Sequence, residues 1–309
     1  MSELSTTYRA SPADDRFRTR SRIGLVYLFI RRWPILPGIV LAALVFSAIF
    51  APWIAPQAPN VQALRDRNAP PVWLADEEGT WTQSYLLGAD QVGRDVLSRI
   101  IHGARISLAV AGVALLSGLL VGVTLGLVAA WYGGVIDEVI ARAVDIWHAL
   151  PFLLVAIVVV TLFGGSLTVL MGVLAMVSWA GFVRNVRADV LTLREREYVL
   201  MARVCGASAP RVIVRHILPG VIPTIMVIAT LAVGGLILTE ATLSFLGAGI
   251  PAPTPSWGLM VSEGREYLTT AWWSSFFPGL AIFLVVMSLN FMGDWIRDFT
   301  DPRLRQQAD

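Results

Sequence analysis

The stretch LAVAGVALLSGLLVGVTLGLVAAW, residues 108–131, runs through 24 positions without a charged side chain. As a helix it reaches ~36 Å at ~1.5 Å per residue, enough to cross the ~30 Å hydrocarbon core of a bilayer. Five further stretches are predominantly apolar and about as long as a span requires: Leu36–Ile54 ahead of it, then Val144–Phe163, Leu167–Phe182, Ile222–Leu246 and Phe276–Trp295. The 309-residue chain is 56% hydrophobic and 15% charged, where a soluble domain carries about 25% charged residues. That balance excludes intrinsic disorder, and the lone Cys205 excludes a disulfide scaffold. The sequence predicts an all-α integral membrane protein with six transmembrane helices.

Arginine placement orients the spans. All 24 basic residues are arginine, and there is no lysine. Seven precede the first span (Arg9, Arg16, Arg18, Arg20, Arg22, Arg31, Arg32) and seven lie between Arg184 and Arg215. With Arg142, Arg297, Arg303 and Arg305, one side collects 18 of the 24. By the positive-inside rule both termini are cytoplasmic. The chain then divides into a tail (1–35), a first span (36–54), an external segment (55–107), a five-helix core (108–297) and a C-terminal tail (298–309). Arg31 and Arg32 flank a run too long for a signal-peptide core, so they read as the basic flank of a retained helix rather than an export signal. Segregation by side also argues against nucleic acid as the arginines' partner.

Several local patterns carry more information than lipid-facing filler. The second span repeats small residues at Ala114, Gly118, Gly122, Gly126 and Ala130, a face that lets helices approach closely, either as a moving interface or as fixed packing. The external segment starts with prolines and ends in a predicted surface helix, Asp95–Ile106. In the second external loop, Trp272 and Trp273 fit an interfacial belt. The 35-residue connection 185–219 is too long for a simple linker. Within it, Tyr198, Val199, Leu200 and Ala202 suggest a short amphipathic helix, and Gly206 suits the residue just past a helix end. Ser208 can cap a second helix with Pro210 in its first turn, and Pro219 disfavours helix in its predecessor.

Inside the fifth span, Glu240 is costly in hydrocarbon and marks either a pathway or a buried hydrogen bond, with Thr239, Thr242 and Ser244 near it. Gly234 and Gly235 lie where the helix is open to bending. Without lysine there is no P-loop, so nucleotide hydrolysis cannot belong to this chain through that motif. The three histidines (His102, His148, His216) are dispersed, no cluster has metal-ligand spacing, and no G-x-S-x-G elbow occurs. No catalytic residues, metal ligands or bound cofactor are expected.

The segment from Tyr198 to Ser208, continuing to Arg215-His-Ile-Leu-Pro219, resembles the cytoplasmic EAA loop of ABC importer permeases. Ala202, Gly206, Leu218 and Pro219 match in register, while Leu200 and Met201 stand where the pattern has Glu and its first Ala. Further blocks resemble the dipeptide, oligopeptide and nickel branch: Leu87-Gly-Ala-Asp-Gln-Val-Gly-Arg-Asp-Val-Leu-Ser-Arg99, Gly103-Ala-Arg-Ile-Ser-Leu108, Glu240-Ala-Thr-Leu-Ser-Phe-Leu-Gly247, Pro255-Ser-Trp-Gly258 and Gly293–Arg305. The long first span and tail are similar to the C-type subunit. Trp73–Ser84 is longer than is usual there and has no assigned role.

This resemblance implies a type I ABC importer permease fold in a bacterial cytoplasmic (inner) membrane. It implies a second homologous permease, two cytoplasmic ATPases carrying ATP and Mg, an external substrate-binding protein and a peptide substrate. The coupling residues it implies are Ala202, Arg203, Gly206, Ala207, Ser208, Arg211, Leu218 and Pro219, with Thr239, Glu240, Thr242 and Ser244 as pathway or gate candidates. Other readings are an importer of nickel chelates, glutathione or another small solute and, outside the family, an ion-coupled secondary transporter or channel.

Overall fold

The computed structural model describes residues 34–74, 81 and 84–300. The tail before residue 34 with its seven arginines, most of the 73–84 insertion and residues 301–309 lie outside the described residues. Among those described, helices run in the order α1 (Ile35–Ile54), α2 (Val96–Gly118), α3 (Thr124–Tyr132), α4 (Gly134–Ala149), α5 (Phe152–Phe163), α6 (Leu167–Leu193), α7 (Glu197–Val204), α8 (Ala209–Val212), α9 (Leu218–Phe245), α10 (Trp257–Gly264) and α11 (Trp273–Thr300). Within the described residues, five continuous helical runs are long and apolar enough to cross a membrane, or six with the bent pair α4–α5 counted as one.

Helix limits differ from expectation where one local residue outweighs mean hydropathy. The third span was expected to be continuous over Val144–Phe163; instead α4 and α5 meet at 80°. Pro151 is the cause. It forces Leu150 into extended backbone (φ −78°, ψ 128°) and then leads the next helix. The expected surface helix Asp95–Ile106 is no separate element. It starts at Asp95, whose side chain accepts the Ser98 N–H at 2.9 Å, and continues through a π turn at Leu119–Val123 into a 37-residue rod, Val96–Tyr132. Nothing between Ser107 and Leu108 breaks it.

The fourth span extends to Leu193, so the expected loop from Asn185 begins as helix. Pro219 does not end its helix either. A π turn at Ile213–Ile217 lets Leu218 N–H bond Ile213 O, and Pro219 sits in the first turn of α9, where no donor is required. The second half of the elbow is therefore continuous with the fifth span, Ala209–Phe245. The Gly234–Gly235 pair leaves α9 unbroken, with Gly234 facing Leu289 and Asn290 of α11.

The core lies between α2, α6, α9 and α11. The small-residue face of the rod packs on α6: a methyl group on Gly118 would overlap Ser178, one on Gly122 would overlap Trp179 O, and one on Gly126 would press on Val183 O and Val186. Two hydroxyls cross the contact, Ser178 Oγ donating to Ala114 O at 2.6 Å and Ser117 Oγ to Ala175 O at 3.2 Å. This face is tight packing in the present state. On the other side of α6, Arg187 holds Asp137 of α4 through two hydrogen bonds of 2.5 and 2.6 Å.

Gly122→Val is expected to lower stability by about 1–3 kcal/mol through overpacking against α6. Gly112→Ala, at a glycine with open space around it, should be nearly neutral. Thermal unfolding of the purified protein in detergent compares them, and equal unfolding temperatures would contradict the packing assignment.

Candidate functional site

The connection between α6 and α9 folds as an elbow. After α7, Gly206 adopts φ +81°. Its N–H bonds Arg203 O at 3.0 Å and the Ala207 N–H bonds Ala202 O at 3.1 Å. This pair of bonds satisfies the last carbonyls of α7 and requires a left-handed residue between them, the Schellman arrangement. Ser208 occupies the cap position of α8 in extended backbone, but its side chain makes no capping bond; Pro210 lies in the first turn as expected. A Cβ at Gly206 would meet nothing in this chain within 4 Å. The glycine is thus required by its backbone angle here, and no close approach within the chain demands it.

The elbow has two faces. Val199, Val212, Ile217 and Val221 are fully buried against Ala130, Val186 and Val190. Ala202 and Ala207 pack beside them, and Leu218 is half-buried. Outward, Leu200, Met201 and Val204 are exposed, Val204 at 83%, together with Ser208, Arg211 and Pro219. Arg203 is exposed but stays with its own chain, its guanidinium 5.3 Å from the centre of the Trp131 ring. These exposed apolar side chains thus stand on a buried base.

At the opposite end of α9 a second constellation joins segments far apart in sequence. Glu263 of α10 accepts from Arg94 at 2.8 Å and from Arg99 at 3.3 Å. Asp90 accepts from Arg94 at 2.5 Å and lies 3.8 Å from Arg99 Nε. Two arginines and two carboxylates balance to zero formal charge, as burial demands, since Arg99 has no exposure at all. Around them Trp257 Nε1 donates to Ile100 O (2.9 Å), Trp273 Nε1 to Ala89 O (3.0 Å), Ser262 Oγ to Phe245 O (3.0 Å) and Ser275 Oγ to Val261 O (3.1 Å). Helix α10 thereby clamps α2, α9 and α11 together. Trp273, expected in an interfacial belt, is 6% exposed and belongs to this core, whereas Trp272 is exposed.

Glu240 lies beneath the clamp and is 1% exposed. Ser244 Oγ, one turn further along the same helix, donates to its Oε1 at 2.8 Å, and its Oε2 has no hydrogen-bond partner among the described residues. Thr239 and Thr242, expected to share this group, instead donate to Gly235 O and Leu238 O of their own helix. Serine and threonine commonly close such i−4 bonds when no better acceptor is in reach. Of the four pathway candidates, only Glu240 and Ser244 meet. Asp90, Arg94 and Arg99 were legible only as words of a family pattern, and Glu263, 169 positions from Arg94, carried no signal in the sequence.

The sequence profile described as the binding-protein-dependent transport system inner membrane component matches residues 122–306. The chain belongs to this family. A second profile, the N-terminal transmembrane domain of oligopeptide transport permease C, matches residues 35–71 of the permease. It is 44% identical over 284 residues to the dipeptide transport system permease protein DppC of Escherichia coli K12, covering 92% of this chain and 89% of that protein. It is 42% identical over 265 residues to the di/tripeptide transport system permease protein DppC of Pseudomonas aeruginosa, covering 86% of each. In fold, it is similar to a chain of the inward-facing MetNI methionine ABC transporter, with a TM-score of 0.53 and 18% identity over 66% of this chain and 97% of that one. The permease is a multi-pass inner-membrane transport component and not itself a catalyst, which sets aside the ion-coupled transporter and channel readings.

Outside the spans, Tyr85 donates to Asp66 Oδ2 at 3.0 Å, and both are buried. Burial first, then the Asp66 carboxylate, hold the Tyr85 phenol well above the ordinary tyrosine range. A folded value above the unfolded one of about 10 means that this contribution is complete below pH 10 and is lost as pH rises past it. Tyr85→Phe should therefore cost about 1.5–3 kcal/mol at neutral pH and flatten the alkaline fall in stability. Thermal melts of both proteins from pH 7 to pH 11 check this, and parallel alkaline falls would contradict it.

Proposed function

We propose that this permease forms half of the pathway of an ATP-driven, binding-protein-dependent importer of di- and oligopeptides. The second half is a homologous permease, and an external binding protein delivers the peptide. Two cytoplasmic ATPases carry the ATP and Mg and dock on the elbow. The observation that carries the reading is the elbow: a rigid turn at Gly206 whose buried face is continuous with three spans and whose outer face is apolar and free. The relatives' names support peptide as cargo, and both are named as transport system permeases.

Closing of the ATPases would push the knob of Leu200, Met201 and Val204, together with Arg211. Because α8 continues into α9, that push would tilt the fifth span as a lever, shifting the pathway between inward- and outward-facing populations. Thr239 and Thr242 are free to face the route, while Glu240 is buried and bonded within α9 by Ser244, one turn further along the same helix. The arginine distribution supports cytoplasmic termini and elbow, with the clamp outside.

Two experiments test this. An alkaline phosphatase fusion after Leu64 should be active and one after Ala207 silent; the reverse pattern would invert the topology. Gly206→Val should leave membrane abundance near normal while peptide uptake falls at least about tenfold, because a β-branched residue resists φ > 0 and crowds the docking face. Gly206→Asn, which tolerates that backbone region, should retain most of the uptake. Wild-type uptake by Gly206→Val in the assembled importer would remove the elbow from the mechanism.

A further inference from the structure

Two arginines of the elbow reach back to the end of the second span. Arg194, just past α6, donates through Nη1 to Ala130 O at 2.7 Å. Arg203, in α7, stacks its guanidinium over Trp131. Ala130 and Trp131 lie in the last turn of α3, immediately before Gly133 ends the rod with φ +66°. Under both contacts Ala130 has no exposure and packs in one apolar cluster with Val199 of α7, Val212 of α8 and Ile217.

This geometry is not needed to hold α7 in the chain, since α7 is already joined covalently to α6 on one side and to α8 and α9 on the other. The attachment to α3 is a third one and is entirely non-covalent. Its form also matters. No carboxylate pairs with Arg203 among the described ion pairs; its partner is a ring face. A cation over an indole keeps its attraction through modest tilts of either group, whereas a bidentate salt bridge depends on one orientation. Such a contact suits two elements that must travel together while changing angle.

We propose that Arg203 and Trp131 are positioning residues that tighten the attachment of the inner end of the second span to the elbow, so that motion imposed on α7 is passed to that span as closely as to the two joined to it covalently. The proposal rests on the reading of the elbow as the ATPase docking site. It gives Arg203 an inward task, holding its own chain, and leaves the outward surface to Leu200, Met201, Val204 and Arg211. The rod that Trp131 terminates continues to Arg99 in the outer clamp, so the second span connects the elbow to the far end of the bundle.

The test uses the complete importer, with both permeases, the ATPases and the binding protein reconstituted in proteoliposomes with a dipeptide, and reads ATP hydrolysed per dipeptide imported. Arg203→Gln and Trp131→Leu should each raise that ratio about two- to fivefold, the factor that an exposed cation–π contact is worth in an equilibrium. Their double variant should be no worse than either single, because both remove the same contact. Trp131→Tyr, which keeps a π face, should stay near wild type, a rescue that loss of folding would not give. Co-purification of the ATPases with each variant establishes assembly, and if Trp131→Leu does not assemble, Arg203→Gln alone decides. A wild-type ratio in Arg203→Gln, or a double variant whose effect is the product of the singles, overturns the proposal while the docking reading stands. A wild-type permease that does not bind the ATPases overturns both.

Discussion

In a bilayer the lipid tails are as apolar as leucine, so helices gain nothing by hiding apolar surface from lipid. What holds this bundle together is close contact between backbones, above all where Gly118, Gly122 and Gly126 of the second span lie on Ser178, Trp179, Phe182 and Val186 of α6. The contact lets Ser178 and Ser117 hydrogen-bond to carbonyls of the neighbouring helix. It also fixes the second span as the shaft against which the other elements are placed. One end of that shaft enters the buried charge cluster with Asp90, Arg94 and Glu263, and the other carries Ala130 and Trp131 to the elbow.

The two ends use different physics because they do different work. The clamp end is built from largely buried charges and indole hydrogen bonds, interactions strongly penalised when any partner is removed and therefore intolerant of local rearrangement. The elbow end relies on buried apolar side chains, one hydrogen bond from Arg194 to Ala130 O and a cation over a ring, whose attraction tolerates modest tilts. A rigid assembly at one end and a compliant contact at the other divide the shaft into a fixed part and a yielding part.

Much of this was readable in the residues. Hydropathy located the spans, since charged residues within them are few and isolated: Asp145, Glu240 and Asp294. The elbow was readable from local chemistry, because Gly206 and Pro210 act within a few positions of themselves, while Ser208 takes the cap position without the side-chain bond expected of it. The break at Pro151 was missed because mean hydropathy over Val144–Phe163 outweighed a single proline whose effect falls on its predecessor, Leu150. Trp273 was misplaced for a different reason: an indole suits an interface and a core equally well, and only Ala89, 184 positions away, decides which. The clamp is of the same kind. Glu263 reads as an ordinary polar residue of a short helix until folding sets it between two arginines, and the inward role of Arg203 depends in the same way on Trp131.

The π turn in the second span has a geometric consequence. Residues spaced by four overshoot a 3.6-residue turn by about 40° at each step. From Ala114 to Ala130 an ideal helix would carry the small face about 160° round its axis, too far to stay on one neighbour. The wider turn at Leu119–Val123 underwinds the helix midway and takes back part of that drift. A four-residue cadence and a local underwinding are thus two halves of one device. Together they keep a straight seam of missing side chains along α6, and they set the azimuth at which Trp131 emerges beneath Arg203.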